Sequence, residues 1–156
     1  MKKRLMTAMM GSISEIFETM FFLPLEFPED IKAKERFGSS EKGLLTCMIG
    51  FKGPLTGNLF LIIPASLSIQ LTADFLGKEI DNLSKDQIIG TIKEIINMIA
   101  GNTFLKYDDN MVFDLGIPEM IGSQSALTNE PDSDEPVFVD VKTPDEQFVI
   151  KIVLRK

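Results

Sequence analysis

The stretch IIGTIKEIINMI at residues 88–99 has the spacing of an amphipathic helix, and MMGSISEIFETM at residues 9–20 repeats it 79 positions earlier. Six apolar positions coincide between the two copies, as do a glycine, a Ser/Thr position and the first glutamate. We interpret this match as an internal duplication that places two related helices in the fold.

Only the second copy carries a clean polar pair, Glu94 and Asn97. At 100° per residue its isoleucines fall in an arc of about 100°, as expected for a helix packed on a core. Gly90, Glu94, Asn97 and Gly101 fall together on the opposite side. A glycine inside a helix costs roughly 1 kcal/mol relative to alanine. Two of them beside an exposed pair suggest a surface that another molecule approaches closely, and an ordinary solvated helix face is the alternative.

The first copy has Gly11, Glu15, Glu18 and Phe22 at the corresponding positions. Glutamate replaces the asparagine, and a bulky ring replaces the second glycine. We therefore expect this face to be covered or unused.

The segments around the two copies predict an α+β fold. A helix-plus-hairpin unit occurs twice, which predicts one antiparallel sheet with the two long related helices packed on one face. The chain, residues 1–156, is expected to form one domain. Ser84 and Gln87 have the form of a capping box that starts the second-copy helix. The predicted helices are 5–22, 65–75 and 85–107, and the predicted strands are 31–37, 44–51, 57–63, 111–117, 120–125, 137–142 and 147–154.

Composition excludes several classes of function. A net charge of −7, with no basic stripe to offset it, argues against a nucleic-acid partner. The absence of histidine removes Ser-His-Asp and Cys-His catalysis and histidine-ligated zinc. The lone Cys47 lies in an apolar run and is interpreted as a core residue.

Neither a membrane span nor a secretion signal is expected. No apolar run reaches the roughly 18 residues of a span, and Glu15 and Glu18 interrupt the apolar run that follows the basic start. We expect a soluble, cytoplasmic protein. Asp108, Asp109 and Asn110 are interpreted as a helix-end turn rather than a metal site, and Asp132 and Asp134 as charges of an exposed acidic loop at 128–136.

The sequence resembles a known family, the CheX and CheC chemotaxis phosphatases of the flagellar switch protein superfamily. The resemblance lies in the doubled helix, the Glu94-x-x-Asn97 motif followed by Gly101 and Asn102, the downstream Pro118 and the hairpins. One intact motif with one degenerate copy is more similar to CheX than to CheC, which typically has two.

The resemblance implies a phosphatase acting on the aspartyl phosphate of a CheY-type response regulator. Glu94 would pair with a lysine of the regulator, and Asn97 would hold the attacking water in line with the phosphoryl group. No cofactor is implied on this chain, and Mg²⁺ is expected on the regulator. CheX proteins pair their sheets, so a homodimer is implied, with an edge of 44–63 or 137–154 as its expected site.

A second hypothesis is a non-catalytic adaptor or switch-like module that binds a receiver domain without hydrolysing anything. Gly90 motivates it, because family members often have Asp or Ser at this position, four residues before the glutamate.

Overall fold

A computed structural model of the protein describes residues 2–29, 43–122 and 135–155. The predicted strand at 31–37 lies outside these residues, as do the acidic loop up to residue 134 and the aspartates within it. The described elements are α1 (Lys2–Met20), β1 (Leu44–Lys52), β2 (Gly57–Pro64), α2 (Ala65–Leu76), a 3₁₀ turn (Ile80–Asn82), α3 (Lys85–Tyr107), β3 (Asp114–Leu115), β4 (Glu119–Ile121), β5 (Val137–Lys142) and β6 (Gln147–Leu154).

The described strands form one antiparallel sheet in the order β3-β1-β2-β6-β5, with β4 also paired to β1. Helices α1 and α3 contact each other, and their apolar sides share one core with one face of the sheet. The predicted α+β architecture, with two related long helices on one face of an antiparallel sheet, is confirmed.

The capping box of α3 is complete. The Gln87 N–H donates to Ser84 Oγ at 3.1 Å, and the Ser84 N–H donates to Gln87 Oε1 at 2.9 Å. These bonds satisfy two of the backbone donors that a helix start leaves open. The helix then runs to Tyr107, so the sequence predicted both of its ends.

Helix α1 ends two residues earlier than predicted, at Met20. Phe22 has a φ of 51°, in the left-handed region, and the Leu23 N–H donates to the Phe17 carbonyl at 3.1 Å. Helices commonly end at a residue in this left-handed conformation, and glycine is the usual residue there. A phenylalanine gave no sequence signal for such an ending.

Helices α1 and α3 run in opposite directions. Arg4 Nη2 donates to the Tyr107 carbonyl at 2.6 Å, and Ser12 Oγ donates to the Ile99 carbonyl at 3.1 Å. Residue numbers therefore rise along α1 as they fall along α3, which brings the two copies of the duplicated pattern side by side.

The core contains four of the six isoleucines that the helical pattern assigned to it, and Ile88 and Ile89 are half-buried. Ile92, Ile95, Ile96 and Ile99 are at most 1% exposed. Cys47 is fully buried among them, and burial raises the pKa of its thiol to about 11, although the positive charge of Lys93 acts in the opposite direction. The interpretation of Cys47 as a core residue is confirmed.

A smaller apolar cluster of Phe60, Ile62, Val149 and Val153 lies on the opposite face of the sheet. Lys151 is buried beside it, with Nζ 5.4 Å from the centroid of the Phe60 ring. Both faces of the sheet therefore carry buried side chains.

The predicted sheet edge at 44–63 is wrong. Strand β1 pairs with β2 on one side and with β3 and β4 on the other, and β2 lies between β1 and β6. Short strands 114–115 and 119–121 occupy the edge instead. They differ in their bounds from the predicted 111–117 and 120–125, of which residues 123–125 lie outside the described residues. At the opposite edge, Glu26 and Lys142 exchange backbone hydrogen bonds of 2.9 and 2.8 Å.

Candidate functional site

The candidate site is the exposed side of α3. Gly90, Glu94, Asn97 and Gly101 are all exposed there, as the helical pattern predicted. Among the described residues, a Cβ added to Gly90 would meet nothing within 4 Å, and one added to Gly101 would meet only the Leu115 Cδ1 atom, at 4.0 Å. Packing within the described residues therefore does not require glycine at either position.

Glu94 and Asn97 make no hydrogen bond or ion pair within the described ranges 2–29, 43–122 and 135–155. Their side chains project from a regular helix whose opposite side is fixed in the core. Polar groups held on a rigid element without internal partners are available to a second molecule.

Glu15, the first-copy counterpart of Glu94, is occupied. Its Oε2 lies 2.8 Å from Lys106 Nζ and 3.5 Å from Asn102 Nδ2. The hydrogen bond from Lys106, assisted by the one from Asn102 and by the lysine charge, lowers the pKa of the Glu15 carboxyl. The Lys106 side chain also lies near Gly11, whose added Cβ would be 3.6 Å from the lysine Cδ.

The different lengths of α1 and α3 explain why Glu15 has bonding partners and Glu94 has none among the described residues. Asn102 and Lys106 belong to the end of α3, and the 79-residue offset pairs them with Leu23 and Phe27. Those two residues lie beyond the end of α1, partly buried against the core. No extension of α1 therefore reaches Glu94 in the way that α3 reaches Glu15.

We expected the first-copy face to be covered or unused, and the first of these two alternatives is wrong. Gly11, Glu15 and Glu18 are exposed, and Phe22 is 85% exposed. The phenylalanine does not shield the helix because it follows the helix end in a left-handed conformation.

Apolar residues that the sequence reasoning missed lie beside the C-terminal half of the α3 face. Leu105, one turn after Gly101, is 62% exposed. Leu115 of β3 lies against Gly101, and Ile117, directly before Pro118, is 85% exposed. One signal was available, because Leu105 falls on the polar side of the helical wheel; nothing in the sequence predicted the position of Ile117.

Asp108 makes contacts at the C-terminal end of α3. Its Oδ1 accepts a hydrogen bond of 2.9 Å from the Asn110 N–H, and its Oδ2 lies 3.9 Å from Arg4 Nη2. These contacts agree with a helix-end turn. Over the residues that the structure describes, no cluster of three or more His, Cys, Asp or Glu could hold a metal ion, and no helix is long and apolar enough to cross a membrane.

A family model described as chemotaxis phosphatase CheX matches residues 45–142, which include α3 with Glu94 and Asn97. The chain belongs to the CheX family. None of the curated proteins compared with this CheX-family chain matches it significantly.

Solved structures share the fold of this CheX-family chain at low sequence identity. Chemotaxis protein CheX from Vibrio vulnificus has 16% identity and a TM-score of 0.76, with 99% of each chain covered. CheX from Borrelia burgdorferi, in a CheX-CheY-BeF3-Mg²⁺ complex, has 17% identity and a TM-score of 0.71, with 96% of this chain and 97% of that chain covered. The FliM middle domain from Vibrio alginolyticus has 12% identity and a TM-score of 0.61, with 99% of this chain and 94% of that chain covered.

Proposed function

We propose that this chain accelerates hydrolysis of the aspartyl phosphate on a CheY-type response regulator in chemotaxis signalling, with Glu94 and Asn97 as the residues that enter the regulator's active site. Membership of the CheX family supports the reaction class. The observation that carries the site assignment is the contrast between the two copies. Glu15 is held by Lys106 and Asn102, whereas Glu94 and Asn97 are exposed without partners among the described residues.

The reaction demands little covalent chemistry from this chain. Water adds to phosphorus, the bond between phosphorus and the aspartyl oxygen breaks, and the products are inorganic phosphate and the aspartate carboxylate. Positioning and charge stabilisation dominate phosphoryl transfer, and orientation of a reactant alone contributes several kcal/mol. The lack of histidine and of a nucleophile is therefore compatible with this activity.

Asn97 is suited to holding the water. Its amide donates through nitrogen and accepts through oxygen, so it can bind a water and direct a lone pair towards phosphorus. It is not a general base, and none is needed for an acyl phosphate whose leaving group is a carboxylate. Because Asn97 is exposed on a fixed helix, the partner can bring its phosphate to the amide.

Glu94 lies three residues from Asn97 on the same face and would align the partner by pairing with an active-site lysine. No cofactor is assigned to this chain, since the regulator would carry its own Mg²⁺. The Borrelia burgdorferi structure, in which a CheX chain is in complex with CheY, BeF3 and Mg²⁺, supports a CheY-type partner. The proposed partner also implies a cytoplasmic location, with residues 1–156 acting as one domain, and a homodimer is proposed from the family resemblance.

Matched glutamates test this assignment. Glu94→Gln should weaken binding of the regulator and slow its dephosphorylation, because the charge partner of the regulator's lysine is lost. Glu15→Gln removes a carboxylate at the equivalent position of the other copy and should change neither. Titration calorimetry and phosphate release on both variants measure the effect. Equal losses in the two variants, or none in Glu94→Gln, would contradict the proposed role.

A non-catalytic adaptor is the second candidate, and Gly90 is the observation that favours it. The position is open, since an added Cβ would meet nothing within 4 Å, so the absence of a side chain there removes a polar group that the site could have used. Tight binding of the phosphorylated regulator with no acceleration by the wild type, and acceleration by Gly90→Ser, would establish the adaptor.

A further inference from the structure

The α3 face continues past the polar pair into an apolar surface. Leu105 is eleven residues after Glu94, just over three full turns, so it lies on the same side of the helix about 16 Å further along the axis. It is 62% exposed although leucine is among the residues most often buried. Gly101 lies between Asn97 and Leu105, and because it has no side chain the helix surface is recessed at that point.

Ile117 lies on the sheet-edge segment that adjoins Gly101 through Leu115. Leu115 lies against Gly101, with its Cδ1 atom 4.0 Å from the position of an added Cβ. Ile117 follows two residues later and is 85% exposed. The recess at Gly101 therefore lies next to the polar pair, Leu105 and the segment from Leu115 to Ile117.

One partner would cover all of these groups. A specific protein interface of standard size buries about 800 Å² on each side, which corresponds to a patch with a radius of about 16 Å. Along the axis, Gly101 is about 10 Å from Glu94 and about 6 Å from Leu105. A patch centred on Gly101 includes both, together with Leu115, and Ile117 follows Leu115 by two residues.

We propose that Leu105 and Ile117 are the apolar contacts that seat the receiver domain on this chain. The inference rests on the proposed function. The occupant is a receiver domain that presents an apolar side chain within about 16 Å of its phosphorylated aspartate, packed over Gly101. The polar pair serves the reaction, and the apolar pair supplies affinity by burying hydrophobic surface against the partner.

The test uses the chain of residues 1–156 with Leu105→Gln, Ile117→Gln and the double variant. Ile80→Gln is the matched control, because Ile80 is 57% exposed but lies on the 3₁₀ turn before α3. Calorimetry measures binding of a CheY-type receiver domain loaded with Mg²⁺ and beryllium fluoride. Phosphate release gives the regulator concentration for half-maximal acceleration and the saturating rate separately.

Each single variant should weaken binding about tenfold and raise the half-maximal concentration equally, with the saturating rate within twofold of the wild type. Ile80→Gln should change nothing. Unchanged affinity in the double variant, while Glu94→Gln weakens binding, would overturn this inference and leave the proposed function standing. Conversion of a dimer to a monomer with unchanged receiver binding would overturn it in favour of a second copy as the occupant. A wild type that neither binds nor accelerates would overturn both proposals.

Discussion

The Lys106 ammonium lies 2.8 Å from the Glu15 carboxylate and so ties the end of α3 to the middle of α1. The equivalent glutamate of the second copy, Glu94, has no such tie among the described residues. Of these two equivalent glutamates, Glu15 thus joins the two helices, and Glu94 faces outwards.

Lys106→Met should raise the pKa of Glu15 towards the ordinary glutamate value, because the largest cause of its lowering is the hydrogen bond from Lys106. A carboxyl whose pKa is lowered in the folded state adds stability above its unfolded pKa and loses it as the pH falls through the folded pKa. The stability of the variant should therefore fall less than that of the wild type as the pH is lowered through the pKa of Glu15. An NMR titration of the Glu15 carboxyl measures the shift, with Lys78→Met as the exposed control. An unchanged pKa would contradict the ion pair.

Thr103→Val should stabilise the fold by up to about 1 kcal/mol. Thr103 is fully buried, and its Oγ1 has no hydrogen-bond partner among the described residues, so the isosteric change removes an uncompensated polar atom. Ser12→Ala should act in the opposite direction, by about 1 kcal/mol, because the Ser12 hydroxyl donates to the Ile99 carbonyl. Urea unfolding of both variants tests the pair. Destabilisation by Thr103→Val would show that its hydroxyl has a partner.

Gly90→Ala should stabilise the protein by about 1 kcal/mol, because Gly90 lies in the interior of α3 and its added Cβ meets nothing within 4 Å. Gly77→Ala provides the contrast. Gly77 ends α2 with a φ of 65°, where a side chain is strained, so this change should destabilise by about 1 kcal/mol. Thermal unfolding distinguishes the two directions. A loss of stability in Gly90→Ala would show that the exposed face is packed against something within the protein.

Helix α3 could be predicted because its capping box and the spacing of its isoleucines indicate the same helix. The capping box at Ser84 and Gln87 fixed its start, and the isoleucine stripe fixed its buried side. The shared face of Glu94 and Asn97 followed from 3.6-residue periodicity alone, since the neighbouring isoleucines leave only one orientation for the helix.

Other features depend on tertiary contacts and had no local signal. The left-handed Phe22 shortened α1 against the usual preference for glycine, and the pairing of residues 114–115 and 119–121 with β1 moved the sheet edge. The ion pair between Glu15 and Lys106 joins residues 91 positions apart. Sequence could place each of them on a helix but could not bring the two helices into contact.

The most direct measurement is the decay rate of a phosphorylated CheY-type regulator with the wild-type chain, with Asn97→Ala and with Glu18→Ala. Glu18 is the first-copy counterpart of Asn97 and is also exposed. Alanine favours the helix more than asparagine does, so circular dichroism should show Asn97→Ala to be folded. We predict acceleration by the wild type and by Glu18→Ala, and a loss of about 10²-fold in Asn97→Ala, the usual effect of removing a positioned hydrogen-bonding group. Undiminished acceleration by Asn97→Ala would contradict this prediction.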